Sequence, residues 1–189
     1  MKIYNSLGVE ILDIAVTDDS YRYRVIMGEN ALTIMFSMVS YIDIPVGSYV
    51  DYQASRYTLL KPQNFTKNNT RDFEYTLILD GPEAVLSWFK LRDFSGRLKF
   101  SHTAKPQEHL QLLVDNLNER DSGWSVGSYV DSVEKVISFN HTSCNDALRQ
   151  MAEAFNTEYE IIGKQISLRR VEYNKANPLA LSYGFGNGF

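Results

Sequence analysis

The stretch at residues 134–171, EKVISFNHTSCNDALRQMAEAFNTEYEIIGKQISLRRV, decides the fold of its half of the chain. It predicts a short strand, a capped helix, a second strand, a tight turn and a third strand. Ser143 stands at the N-cap position with Asp146 three residues later, close to the capping-box pattern. The apolar residues that follow at helical spacing are Leu148, Met151, Ala152 and Phe155. No catalytic group has a meaningful spacing here, so the stretch predicts packing rather than chemistry.

A second amphipathic helix is predicted upstream, over residues 106–120. Its apolar residues recur at i, i+3, i+4 and i+7, at Leu110, Leu113, Val114 and Leu117. Pro106 is tolerated in the first turn of a helix, and the sequence DSG at 121–123 ends it. Residues 94–100 resemble a strand interrupted by Gly96, and residues 83–89 fit either a helical turn or a last barrel strand.

The first 95 residues are predicted to be mostly strands. Aromatic and β-branched residues fill five segments, at residues 3–14, 21–27, 31–41, 49–60 and 73–79. Turn signals separate them, at residues 18–19, 28–30, 45–47 and 67–69. The expected fold class is therefore α+β and mostly β. A small barrel-like β domain at residues 1–95 is followed by an α+β domain at residues 96–189, with two short helices packed on a sheet.

The composition excludes several classes of protein. The net charge of −4 lacks the basic face of a nucleic-acid-binding domain, and the only adjacent basic pair, Arg169 and Arg170, is interpreted as a solvated strand end. No segment fits a signal peptide, and no apolar run is suited to membrane insertion. The chain is expected to be made in the bacterial cytoplasm. The last residues predict a strand at 179–183 and then GFGNGF, from which we expect the natural chain to continue.

Candidate reactive residues are few. The single cysteine, Cys144, excludes an intramolecular disulfide and a multi-cysteine zinc site. It is either a low-pKa nucleophile at a helix N-terminus near His141 or, as we favour, a small buried helix residue. His102 and His109 lack the i, i+4 spacing of a helical zinc pair, so surface or cap roles are expected for the histidines. No metal, cofactor or catalytic residue is assigned.

Three further groups allow two interpretations each. Gly184, Gly186 and Gly188 lack the Lys-Ser/Thr and helix of a phosphate loop, so a turn or linker is favoured. A hydrolase needs two carboxylates about 5–10 Å apart, and the densest acidic group is Glu153, Glu158 and Glu160. Nothing else marks a cleft, so the chain is predicted not to be an enzyme.

Four aromatic residues are candidates for a sugar-binding surface, but core anchoring is the default: Trp88, Trp124, Phe94 and Phe100.

The second half resembles the hub domains of phage tail baseplates. The resemblance rests on SCNDAL at 143–148, MAEAF at 151–155 and TEYEIIGKQISL at 157–168, preceded by LN at 117–118 and GWSVG at 123–127. It spans most of residues 48–189 and is weakest over the first 45 residues. These are packing motifs of helix core, turn glycine and strand core, and they include no catalytic residue.

The resemblance implies a structural role. In that family, similar chains form trimeric rings at the tail tip, and later domains continue into a spike, a fibre or a cell-wall hydrolase. By resemblance, this chain would be the N-terminal ring-forming part of a hub protein of a phage or prophage, a homotrimer in the virion tail that contacts other tail and baseplate proteins. The alternatives are a carbohydrate- or cell-surface-binding β module and a hydrolase that uses the three glutamates.

Overall fold

The computed structural model describes residues 1–170, which form thirteen strands and three helices. In chain order they are β1 (Lys2–Tyr4), β2 (Glu10–Asp13), β3 (Tyr21–Arg24), β4 (Asn30–Met38), β5 (Tyr49–Tyr52), β6 (Ser55–Thr58), β7 (Asn64–Asn69), β8 (Asp72–Asp80), α1 (Pro82–Leu86), β9 (Lys99–Ala104), α2 (Pro106–Asn118), β10 (Ser125–Tyr129), β11 (Lys135–Asn140), α3 (Cys144–Ala154), β12 (Tyr159–Ile162) and β13 (Gln165–Leu168). The α+β, mostly-β class is thus confirmed.

The first eight strands form one sheet, in which seven strands follow the order β2-β1-β5-β6-β8-β4-β3. The eighth, β7, pairs with β8 on the same edge as β6. It contacts the first half of β8, whereas β6 contacts its last residue. Strands β4 and β8 pair antiparallel along their whole length, and their inner side chains alternate with outer ones. The inner row joins Leu32 to Leu79, Ile34 to Leu77 and Phe36 to Tyr75. This long central pair carries most of the first core.

The barrel expected for residues 1–95 does not close in the part of the chain that the structure describes. The terminal strands β2 and β3 are not paired with each other. The connection between them instead lies against β4, where the Thr17 backbone N–H donates to the Met35 carbonyl at 2.9 Å. Single hydrogen bonds of this kind replace a continuous ladder, so the sheet stays open.

The second half contains two small sheets and two longer helices. β9 pairs antiparallel with β11, while β13 lies between its antiparallel partner β12 and its parallel partner β10. The α3 N-cap forms as predicted, because the Ser143 hydroxyl oxygen accepts from the Asp146 backbone N–H at 3.1 Å. The buried face of α3 consists of Cys144, Ala147, Leu148, Met151 and Ala152. This face packs against α2, β11 and β12.

The buried apolar side chains form two clusters. The first extends from Ile3 to Leu79 and the second from Leu86 to Leu168. The chain passes from one to the other through Gly81 and Pro82, at the start of α1. The domain boundary near residue 95 stays a prediction.

Three expected strands have different bounds for local reasons. Residues 3–14 form two strands because the Asn5 side-chain oxygen accepts from the Leu7 and Val9 backbone N–H groups and closes a turn. Residues 49–60 form the β5–β6 hairpin, which turns at residues 53–54. The strand expected at 94–100 begins only at Lys99, because the Asp93 carboxylate accepts from two backbone N–H groups of a turn.

Candidate functional site at the junction of the two cores

A buried polar network joins the two cores, and Asn30 at the start of β4 lies at its centre. The Asn30 side-chain oxygen accepts from the Tyr57 hydroxyl at 3.0 Å and from the Arg22 guanidinium at 3.3 Å. Its amide nitrogen donates to the Glu83 carboxylate at 3.0 and 3.3 Å, and its backbone carbonyl accepts from Gly81 at 2.7 Å. One side chain therefore connects β3, β4 and β6 of the first core to α1 of the second.

The electrostatics of this network follow from its burial. Burial raises the pKa of the Glu83 carboxyl, and the hydrogen bond from Asn30 and the charge of Arg24 act against that rise. Burial likewise raises the pKa of the Tyr57 hydroxyl. A carboxylate bonded by a neutral amide in this way is suited to fixing the position of α1. The sequence pattern gave no signal for Glu83, because its short helix has no long apolar periodicity.

A second set of polar contacts links the first core to β12. The Glu160 carboxylate, largely buried, lies 3.1 Å from the Arg24 guanidinium and 3.7 Å from that of Arg169. The Tyr159 hydroxyl donates to the Met27 carbonyl at 3.0 Å. These contacts hold β12 against the end of β3, so Glu160 is part of an ion-paired structural junction.

A cavity of about 630 Å³ lies between the β5–β6 hairpin, α1 and the β12–β13 turn. Its charged groups are paired within the chain. Arg56 donates twice to Asp51, at 3.0 and 3.3 Å, and the Lys164 ammonium binds Asp121. The Trp124 indole N–H donates to the same Asp121 at 3.0 Å. The two acidic and two basic side chains that line the cleft are therefore paired with one another.

The predicted glutamate group does not come together in this cleft. None of Glu153, Glu158 and Glu160 lines the cavity. Glu153 is exposed on α3, Glu158 precedes β12 and Glu160 is held by two arginines. The sequence indicated that Glu158 and Glu160 share one face of a strand. This is wrong, because β12 begins only at Tyr159 and Glu158 precedes it.

Cys144 is buried in the first turn of α3, as the favoured interpretation expected. Burial raises the pKa of its thiol to about 12. The alternative of a low-pKa nucleophile at a helix N-terminus is wrong, because desolvation of the thiolate dominates at this position.

We therefore expect the Cys144 thiol to react only when the chain unfolds. In native buffer, a chromogenic thiol reagent should modify the chain at the slow rate of unfolding, and in denaturant it should react at once. The matched control is Ser37→Cys, which adds a thiol at an exposed position on β4. One rapid equivalent in that variant and none in the parent chain is the expected result. Rapid modification of the native parent chain would contradict the assigned burial.

His109 differs from the expectation of a surface or cap role, whereas His141 is exposed as expected. His109 is fully buried in α2, with its Nε2 atom 3.2 Å from the Lys135 carbonyl. Its ring lies 4.9 Å from that of His102, because β9 packs beside α2, an approach that their sequence spacing did not reveal. Within residues 1–170, no group of three or more His, Cys, Asp or Glu is arranged to hold a metal ion.

His109 predicts a specific loss of stability at acidic pH. Burial lowers the pKa of its imidazole below the ordinary value of 6.5. The folded state therefore favours the neutral ring, whose contribution is complete above about pH 6.5 and is lost as the pH falls toward the folded-state pKa.

We expect His109→Phe to flatten the pH dependence of the free energy of unfolding between about pH 7 and about pH 5, measured by urea titration. The control is His141→Asn, at an exposed position with a positive φ that asparagine tolerates. If both variants keep the same pH dependence as the parent chain, His109 does not make the assigned contribution.

The aromatic candidates divide into buried and exposed residues. Trp124 is only 4% exposed, and Phe100 packs on Phe139 with ring centroids 5.2 Å apart, so core anchoring is confirmed for these two. It is wrong for Trp88, 61% exposed, and Phe94, 81% exposed. Both follow the end of the first sheet in segments that are mostly turns, where no apolar layer covers them.

The remaining sequence predictions concern the end of the chain. Arg169 contacts Glu160 rather than standing as a purely solvated strand end. The strand predicted at 179–183 and the glycines Gly184, Gly186 and Gly188 lie outside the described residues. No helix among the described residues is long and apolar enough to cross a membrane.

Two solved structures of tail proteins resemble this fold. No protein-family model and no curated protein sequence matches the chain. The prophage tail protein gp18 from Listeria monocytogenes EGD-e is similar in structure, with a TM-score of 0.69 and 9% identity over 97% of this chain and 55% of its own. The tail protein from Neisseria meningitidis MC58 has a TM-score of 0.57 and 10% identity over 88% of this chain and 48% of its own.

The chain thus spans about half the length of these two solved structures. At such low identities the similarity shows only that this chain and these two tail proteins share a fold.

Proposed function

We propose that this chain is a structural subunit of a phage or prophage tail, in the baseplate hub at the tail tip. It forms a homotrimeric ring there, contacts other tail and baseplate proteins, and carries a downstream spike, fibre or cell-wall hydrolase. The observation that supports the proposal most is the match of 97% of the chain to a prophage tail protein at a TM-score of 0.69.

The surface of the first sheet is consistent with assembly. Strand edges that remain unpaired are templates for pairing with another chain, and natural proteins cover them. The terminal strands β2 and β3 each have one free edge among the described residues, and Tyr21 and Tyr23 on β3 expose their rings. A ring that places such edges at subunit contacts covers them.

Localisation in particles tests this proposal. An antibody raised against this chain should label one end of purified tails in electron micrographs, at the tip opposite the head. The control is the same antibody preabsorbed with the purified chain. Label spread along the tail tube, or particles that lack the chain by mass spectrometry, would contradict a role in the tail tip.

The second candidate function is carbohydrate or cell-surface binding, and the exposure of Trp88 favours it. Its indole borders a cavity of about 100 Å³ that Arg92 and Asn116 also line. Exposed tryptophan beside polar groups is suited to stacking on sugar rings. Glycan-array binding that disappears in Trp88→Ala, in a chain that stays monomeric, would favour this function over the hub. Trp124 is not a candidate, because its ring is buried.

A further inference from the structure

Three basic side chains surround the cavity beside the exposed Trp88 ring. This cavity of about 100 Å³ is lined by Lys90, Arg92 and Arg120 as well as by Trp88 itself. The indole is 61% exposed, which is unusual for so large an apolar group. None of the three basic side chains has an ion pair within residues 1–170. Their charge is therefore available to a ligand. We call this cavity with its lining the Trp88 pocket.

The backbone that carries the Trp88 pocket is held in place from two sides. The Asn116 side-chain oxygen on α2 accepts from the Arg92 backbone N–H at 2.9 Å, and its amide nitrogen donates to the Arg92 carbonyl at 3.0 Å. The Leu91 backbone N–H donates to the Thr142 carbonyl at 3.0 Å. Residues 88–92 therefore present their side chains from a fixed backbone, which lowers the entropic cost of binding.

The charge of the Trp88 pocket is positive, with one acidic side chain. Glu119 lines the pocket at the C-terminal end of α2. The other acidic side chains adjacent in sequence to lining residues already accept hydrogen bonds inside the chain, from Arg97, Gln111 and Lys164 respectively: Asp93, Asp115 and Asp121. The negative end of the α2 dipole adds about half a charge. Three cations therefore outweigh the negative charge of the pocket.

The size of the cavity separates the place of a charged group from that of a ring. A volume of about 100 Å³ corresponds to about three water molecules. It has room for a carboxylate or a phosphate group, but it is too small for a whole sugar ring. A ring must therefore lie outside the cavity, against the exposed indole, whose apolar face suits the C–H groups of a sugar.

We propose that the Trp88 pocket binds an acidic saccharide, with the sugar ring stacked on Trp88 and its carboxylate or phosphate group bound by Lys90, Arg92 and Arg120. The inference rests on carbohydrate binding, the second candidate function above, and names its ligand class. Arginine and lysine bind both kinds of anion through charge-assisted hydrogen bonds. Glu119 then accepts hydrogen bonds from the hydroxyl groups of the sugar.

Glu119 also favours a saccharide over a nucleic acid. A carboxylate in the pocket repels a chain of closely spaced phosphates, whereas it accepts hydrogen bonds from hydroxyl groups. The chain, with its net charge of −4, also lacks the concentrated basic face on which nucleic acids bind. A ligand with many hydroxyl groups and one anionic group per binding site matches these features.

A glycan array tests the proposal, with carboxylate-bearing, phosphate-bearing and neutral saccharides offered to the labelled parent chain. We expect the bound saccharides to be acidic, and the two acidic sets show which anion the pocket prefers. Isothermal titration then compares a bound saccharide with its neutral counterpart, the methyl ester of a carboxylate or the dephosphorylated form of a phosphate. The neutral form should bind at least about tenfold more weakly, because it loses charge-assisted hydrogen bonds.

Variants locate the binding in the pocket. Arg92→Gln with Arg120→Gln should weaken binding of the acidic saccharide by about tenfold or more, and leave that of the neutral form within about twofold. Trp88→Ala should weaken both forms by about tenfold, because both stack on the indole. Circular dichroism and thermal unfolding of every variant show that the fold is retained.

The matched control is Lys67→Gln with Arg71→Gln, the same change of charge at exposed positions of the first half. It should leave the affinity within about twofold of the parent chain. An equal loss in both double variants would contradict the proposal, because the overall charge of the chain rather than the pocket would then attract the ligand.

The remaining outcomes separate the ligand class from carbohydrate binding itself. If neutral saccharides bind as tightly as acidic ones and Trp88→Ala abolishes this binding, the acidic class is wrong and carbohydrate binding stands. If no saccharide binds, both are wrong. Single-stranded DNA that binds as tightly as the acidic saccharides would also overturn the proposal, because the pocket would then bind polyanions in general.

Discussion

Replacing Leu148 by alanine is expected to lower the free energy of unfolding by about 2–5 kcal/mol. The side chain is fully buried on the face of α3 that forms the centre of the second core. The substitution removes three carbon atoms and leaves a cavity, which the packed neighbours fill only in part. Urea titration followed by tryptophan fluorescence gives the change directly, since Trp124 belongs to the same cluster.

The control for this prediction is Glu153→Ala, on the exposed side of the same helix. It should change the free energy of unfolding by less than about 0.5 kcal/mol. Alanine is the better helix former at both positions, so neither substitution lowers helix propensity. A loss of stability seen only for Leu148→Ala therefore comes from the core. Equal effects of the two substitutions would show that α3 does not bury the assigned face.

Replacing Asn30 by alanine is expected to cost about 3–5 kcal/mol, because it leaves more than one buried polar group without its partner. The Tyr57 hydroxyl and the Glu83 carboxylate both lose the hydrogen bonds that Asn30 provides. Glu83 is then a buried carboxylate with less compensation, so the loss should shrink at low pH, where protonation neutralises it. This follows because the folded-state pKa of Glu83 is raised by burial.

The matched control is Asn64→Ala, the same chemical change on exposed β7. It should be close to neutral, at less than about 0.5 kcal/mol. A double-mutant cycle between Asn30→Ala and Glu83→Gln measures the coupling of the two side chains, which we expect to exceed about 1 kcal/mol. Additive effects would mean that the two side chains do not act as one junction.

The local elements that the sequence predicted correctly are those with strong periodicity and a cap. The apolar residues of α2 recur with the helical period, and Ser143 caps α3 as expected. The β12–β13 hairpin is recognisable because Gly163 adopts a positive φ in its turn. These features depend only on neighbours in the chain, so a single sequence is enough to find them.

The β5–β6 turn was missed because its signal is weak. Gln53 and Ala54 both have a positive φ, which non-glycine residues seldom adopt, and neither is a usual turn residue. Residues 49–60 therefore read as one strand. Tertiary contacts compensate here, since the neighbouring Ser55 hydroxyl oxygen accepts from the Gly163 backbone N–H at 3.3 Å.

The junction around Asn30 was not predictable from local pattern either. Asn30 belongs to a GEN turn signal at residues 28–30, yet it begins β4 and is only 4% exposed. Its partners Tyr57 and Glu83 lie 27 and 53 residues away. Burial of a polar side chain depends on these distant partners, so only the fold reveals it.

The solution mass of the chain tests the central claim, self-association into a ring, most directly. Light scattering after size exclusion, at tens of micromolar, should give about three times the chain mass of 21.7 kDa. The peak should move to lower mass on dilution through a concerted transition, as expected for a closed ring. A mass of 21.7 kDa that stays constant over the whole concentration range would contradict the account.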